Sequence, residues 1–204
     1  MEISNMARHD DNDRETRCTG AGARVPNNNH GERVLPEYDA TTLVGLRTLV
    51  ANAAIERVED GETTIELPKL DELLAAAAIA RCLMPVKLRG WEIKAIRHIL
   101  NMTLAELAQR LDEKTALETL SRWESESQPI GTYAEKVLRL VVCEHLKEQA
   151  PGMDYSASMI ADMKIQNPWK TNDSDYQVPY VELALIRLKK ESGAVVEAWD
   201  KAAA

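Results

Sequence analysis

Two periods of apolar residues run along this chain of 204 residues, and the places where one gives way to the other divide it into segments. From Met1 to about Leu35 neither period holds: Asn, Asp, Gly and Arg dominate, with little apolar area to offset the cost of ordering, so residues 1–36 are expected to be a disordered tail. Between Tyr38 and Leu67 a helical stripe of Leu43, Leu46, Leu49, Val50 and Ala53 competes with strands. The pair Asp60-Gly61, followed by Thr63, Thr64 and Ile65, is a short-range hairpin signal and decides for strands. Pro68 then opens an amphipathic helix over Lys69 to Leu83, closed by Met84-Pro85, and residues 37–85 read as a small β-hairpin and helix module.

From Gly90 to about Gln149 the pattern is helical, with breaks at Asn101, at 112–115 and at 127–131, so four helices fit. Residues 86–150 form the second predicted domain. Beyond Pro151-Gly152 a short helix near Ser156 to Met163, a polar loop over 167–177 and a strand from Val181 to Lys189 make up a C-terminal extension, 151–204. The predicted fold class is α+β: a small N-terminal β-rich module and linking helix, an all-α head with its own C-terminal helix, and a terminal strand.

Within the head, Thr103 and Glu106 have capping-box spacing, and Leu104, Leu107, Ala108 and Leu111 form the stripe of a helix of about two turns. A helix this short needs neighbours. One carries Trp91, Ala95, Ile96, Ile99 and Leu100, the other Leu117, Leu120 and Trp123, so three short helices share one core. Trp91 and Trp123 are assigned to that core.

Charge refines this picture. The formal net charge is -8, which argues against a protein that coats nucleic acid nonspecifically and makes any DNA contact a local one. Lys87 to Arg139 holds nine Lys/Arg against eight Asp/Glu and is nearly neutral, so the acid excess lies elsewhere. Cys18, Cys82 and Cys143 are far apart in sequence and form no CxxC pair, so they read as reduced thiols, with no disulfide framework, metal site or cofactor expected. There is no apolar run of spanning length and no signal-like N-terminus, so a cytoplasmic protein is expected. Nothing pairs His98 or His145 with Cys, Asp or a serine nucleophile, and no phosphate loop, nucleophile elbow or metalloprotease motif is present. An enzyme is not expected.

The stretch Gly90-Trp91-Glu92-Ile93-Lys94-Ala95-Ile96-Arg97 through Ser121-Arg122-Trp123-Glu124 resembles the lambda-repressor-like (Xre) helix-turn-helix over about 35 residues. The wider layout is similar to the YgiT-type zinc-finger/helix-turn-helix family of MqsA-like antitoxins and regulators. Its two CxxC pairs are absent here, so its zinc is not carried over. The resemblance implies that the third helix of the head enters the major groove of double-stranded DNA, with Leu117, Glu118 and Arg122 reaching base edges. Thr119 and Ser121 then suit phosphate or base contacts, Thr103 offers a helix N-terminus to a phosphate, and Thr115 and Leu104 border the surface. Lys94, Arg110 and Lys114 are further phosphate candidates. The resemblance also pairs Arg97 with Glu124 as a structural salt bridge.

Three departures mark this chain: Leu104 stands where the family often has a glutamine, the turn at 112–115 is about two residues longer, and Asp112, Glu113, Glu118, Glu124 and Glu126 bring carboxylates near a surface meant for phosphates. The expectation is a sequence-specific regulator, an autoregulatory repressor binding a palindromic operator as a homodimer. Dimerisation is assigned to Val137, Leu138, Val141, Val142 and Leu146 on the helix Thr132 to Lys147, or to the final strand pairing across a two-fold axis. A different class of function, an antitoxin-type protein whose Tyr38 to Met84 module binds a partner toxin, is the alternative.

Overall fold

Both strand regions and the four-helix run are present in the computed structural model, which describes residues 31–59, 61–112, 115–168, 177–189 and 195–202. The chain enters through β1 (Gly31–Val34) and β2 (Glu37–Asp39), makes a single helical turn α1 (Thr41–Val44), and continues through β3 (Thr48–Ala51), β4 (Ile55–Glu59) and β5 (Glu62–Glu66). Strands were the expectation here and strands dominate. The competing helical stripe survives only as α1, which Gly45 ends with a φ of 76°, a left-handed backbone that suits glycine. β4 and β5 form the predicted hairpin, with Glu59 opposite Glu62 and Gly61 at a φ of 84°, while Asp60 lies outside the described residues.

Residues 1–30 of the expected tail lie outside the described residues. Its last part is corrected: Gly31–Val34 is a strand paired with β4, while Glu37–Asp39, at the start of the predicted β module, pairs with β3. β1 lacks an apolar period because it buries no face and is held by its ladder with β4 and by the Arg57–Glu32 ion pair, whereas the short β2 turns only Tyr38 onto the core.

Helix α2 (Leu70–Leu83) is the pivot of the molecule. Ala75 to Ala80 are fully buried, as a helix covered on all sides requires. One side meets β6 (Val181–Lys189) and β7 (Val195–Lys201), and another meets α3 (Gly90–Ile99) and α6 (Thr132–Leu146). The small side chains let these layers approach closely.

The terminal strand differs from expectation in its partner. β6 runs parallel to β3 and antiparallel to β7, so β2-β3-β6-β7 make one sheet from the N-terminal module and the C-terminal extension together. β6 is paired with β3 along Val181–Ala184 and with β7 along Leu183–Lys189, so the strand offered to a two-fold contact is an inner strand of the chain's own sheet. β7 had no counterpart in the sequence reading. Its Trp199 is fully buried and donates its indole N–H to the Lys69 carbonyl over 3.3 Å.

The apolar surplus assigned to dimerisation is largely used within the chain. Leu138, Val142 and Leu146 are fully buried on α6, which packs against α2, and each such burial contributes about 1.5–3 kcal/mol. Val137 and Val141 are half-buried. The short helix near Ser156 is α7 (Ala157–Ala161), with the Ser156 hydroxyl accepting the Met159 N–H as its cap.

Candidate nucleic-acid interface

The head consists of α3, α4 (Leu104–Leu111) and α5 (Leu117–Glu124), backed by α6. Ile93, Ile96, Leu107, Ala108, Leu120 and Trp123 form its interior. Trp123 belongs to this core as expected. Trp91 does not, and is 39% exposed on the outer side of α3.

The turn between α3 and α4 passes through Asn101 at a φ of 54°, a left-handed conformation that asparagine tolerates better than most residues. Thr103 then caps α4: its hydroxyl oxygen accepts the Glu106 N–H at 3.2 Å, and the Glu106 carboxylate accepts the Thr103 N–H at 2.7 Å. These bonds hold the Glu106 carboxyl below its ordinary range, first through the Thr103 backbone N–H. The predicted capping box is therefore formed, and it places a carboxylate at the helix start that had been offered to a phosphate.

Ala116 is the N-cap residue of α5, so the helix begins at Leu117 and Thr115 precedes it, half-buried. Leu117, Glu118, Ser121 and Arg122, at three- and four-residue spacing, lie exposed on one face, while Leu120 and Trp123 are buried on the other. Thr119 is half-buried at the boundary. Leu104 packs half-buried against the core on α4 instead of joining the exposed face. Lys114 lies outside the described residues, and Lys94 and Arg110 are exposed.

Two arginines neutralise carboxylates at the end of α5. Arg97 Nε meets Glu124 Oε1 at 2.7 Å, the pair that the resemblance implied, and Arg97 also donates to the Met102 carbonyl at 3.1 Å. Arg89 grips Glu126 through two bonds of 2.7 and 2.6 Å, and the Gly90 N–H adds a third at 2.9 Å. The Arg89 guanidinium holds the Glu126 carboxyl below its usual range. Gly90 makes this join possible. A Cβ there would lie 2.5 Å from the Trp123 carbonyl oxygen and 2.6 Å from that of Glu124. Arg122 has no ion-pair partner among the described residues.

Behind the head lies a charged network that sequence reasoning missed. Arg81 makes bonds of 2.5 and 2.8 Å to Glu92 and donates to the carbonyls of Val86 and Lys87. Arg139 donates to the carbonyls of Cys82, Met84 and Val86, each at 2.6 Å, and to Glu135 at 2.8 Å. Glu135 also accepts from Lys87 at 3.1 Å and from the Leu88 N–H at 2.8 Å. The segment from α2 to α3 is thereby tied to both α2 and α6. The i, i+4 spacing of Glu135 and Arg139 was a visible signal for one of these pairs; burial was not visible.

Beside this network the fully buried thiols of Cys82 and Cys143 meet, although 61 residues separate them in sequence. The Cys143 thiol, hydrogen-bonded to the Cys82 thiol and desolvated, is pushed up. Among the described residues no group of three or more potential ligands is placed to hold a metal ion, and no helix is long and apolar enough to cross a membrane.

A family model described as Aca2/YdiL-like matches residues 88–154, about a third of the chain. The match begins two residues before α3, covers the whole head and α6, and stops before α7, leaving both sheets outside it. No curated protein and no solved structure matches the chain.

Proposed function

We propose that the protein is a sequence-specific DNA-binding transcriptional regulator, acting as a repressor on a palindromic operator, with α5 as the recognition helix of a helix-turn-helix. The observation that carries this reading is the outward face of α5: Arg122 is exposed and without an ionic partner among the described residues, while the carboxylates beyond it, Glu124 and Glu126, are neutralised by Arg97 and Arg89. The charge that the sequence set against phosphate is thereby reduced at the end of the helix. Arg122 then suits the O6 and N7 of guanine, Glu118 the amino group of cytosine, and Leu117 a thymine methyl. Ser121 and Thr119 complete the contact with groove or phosphate.

The Aca2/YdiL-like match over the head agrees with a regulatory role. A homodimer belongs to the reading because one helix of eight residues spans too few base pairs for useful specificity, and two such helices one turn of DNA apart read a palindrome. Selection of binding sites from random duplexes, followed by gel shift on the selected site, tests it. A palindromic consensus and a saturable shift are expected. No enrichment and no saturable shift at moderate salt would sink it.

A further inference from the structure

β1, β4 and β5 form a three-stranded sheet that contributes no residue to the core of the molecule, and β5 is exposed along its whole length. A sheet ordinarily covers one face with another layer, and a small sheet with neither face covered is marginal in water. Side-chain alternation in the observed register makes its two faces different. Val58 and Ile65 share one face. On the other, Arg57 is neutralised by Glu32 at 2.8 Å and Glu66 at 2.6 Å, which leaves Glu59 directly opposite Glu62 at the hairpin end. Like charges placed opposite each other across a strand pair destabilise it. Neither carboxylate has an ion-pair partner among the described residues, and Asp60 adjoins them in sequence. Across 31–34 and 55–66 the chain carries six carboxylates against two arginines.

We propose that this acidic face is the docking surface for a basic protein, one presenting lysine or arginine to Glu59 and Glu62 and apolar side chains to Val34 and Ile55, at the opposite end of the same face. Charge decides the occupant. Duplex DNA is repelled by these carboxylates, and the same sheet of a second copy carries the same charge, whereas a cationic surface relieves the Glu59–Glu62 repulsion and covers the open face together. The inference is independent of the DNA reading, which rests on α5.

The test uses the full chain, tagged and incubated with an extract of the cells that encode it. The retained basic protein is identified, purified and titrated calorimetrically against the wild type, against Glu59→Lys/Glu62→Lys, and against Val58→Thr/Ile65→Thr on the opposite face. Circular dichroism confirms that each variant is folded. Affinity should fall at least about tenfold in the charge-reversed variant, weaken as salt rises from about 50 to 300 mM, and stay unchanged in the opposite-face variant. Undiminished binding by the charge-reversed variant overturns the proposal, as does retention of no basic protein. A homodimer in sedimentation that the charge reversal dissolves also overturns it, because the occupant is then a second copy.

Discussion

Arg97 and Glu124 join the start and the end of the head: the guanidinium on α3 meets the last residue of α5 through two parallel bonds of 2.7 and 3.1 Å, with both side chains about nine-tenths buried. A two-point contact of this kind fixes angle as well as distance. It therefore sets how α5 is presented. Arg97→Ala and Glu124→Ala should each destabilise the protein by about 1.5–3 kcal/mol, because each leaves a mostly buried charge without its partner. The double variant should cost less than the sum of the two. Urea denaturation of the four proteins measures the coupling, and strict additivity would show that the pair does not interact.

Gly90 makes the second join between the same elements, and its constraint is steric. Any Cβ would meet the carbonyl oxygens of Trp123 and Glu124 at 2.5 and 2.6 Å, and these are main-chain atoms that no rotamer change can move aside. Gly90→Ala should cost about 1–3 kcal/mol despite alanine's better helix propensity. A thermal midpoint equal to or above that of the wild type would contradict this packing.

How much of this was legible in the sequence depended on whether a feature was local. The helices of the head, the capping box at Thr103 and the β4–β5 hairpin are each encoded within a few residues, and each formed where expected. The pairing of Arg97 with Glu124 was legible only through resemblance, since 27 residues separate them. What stayed hidden was long-range. Nothing in Val181 to Lys189 says that its neighbour is β3, more than 130 residues earlier, and no local pattern shows that Arg81 and Arg139 lie inside a core of alanines and leucines. Leu138, Val142 and Leu146 illustrate the same limit, because a surplus apolar stripe looks alike whether it meets a second copy or α2.

The buried network makes its own prediction. Glu135 is fully buried and takes charge-assisted bonds from Arg139 and Lys87. Arg139→Met should cost about 3–5 kcal/mol, since it removes the closest counter-charge and frees three carbonyls of the linking segment. Replacing Glu135 and Arg139 together by apolar residues of similar size should cost less than Arg139→Met alone. Equilibrium denaturation in guanidinium compares the two, and the opposite ranking would mean that the carbonyl bonds matter more than the charge.

Glu126 links stability to pH. Its carboxyl is held below its ordinary range, first by its bonds from Arg89, so the folded state favours the ionised form. Its contribution is complete above the unfolded value and is lost as pH falls through the lower, folded value in the acid range. Glu126→Gln should therefore melt below the wild type at pH 7, and the two midpoints should converge as pH is lowered toward 3. A gap that stays constant over this range would place the effect of Glu126 in its shape and not its charge.

Arg122 separates base reading from simple attraction. If its fork meets the O6 and N7 of one guanine, Arg122→Ala should cost about 1–3 kcal/mol on the selected operator and relax preference at a single base pair in each half-site, leaving the slope of affinity against salt nearly unchanged. If it meets a phosphate, the loss should be uniform across sequences and the salt slope should drop by about one. Because Arg122 is exposed and its guanidinium has no ionic partner among the described residues, the variant should melt with the wild type, so any change in affinity is a change at the interface. Fluorescence anisotropy on the selected site and on single-base variants, at several salt concentrations, resolves the two outcomes. Unchanged affinity on every duplex would remove α5 from the interface and the proposed function with it.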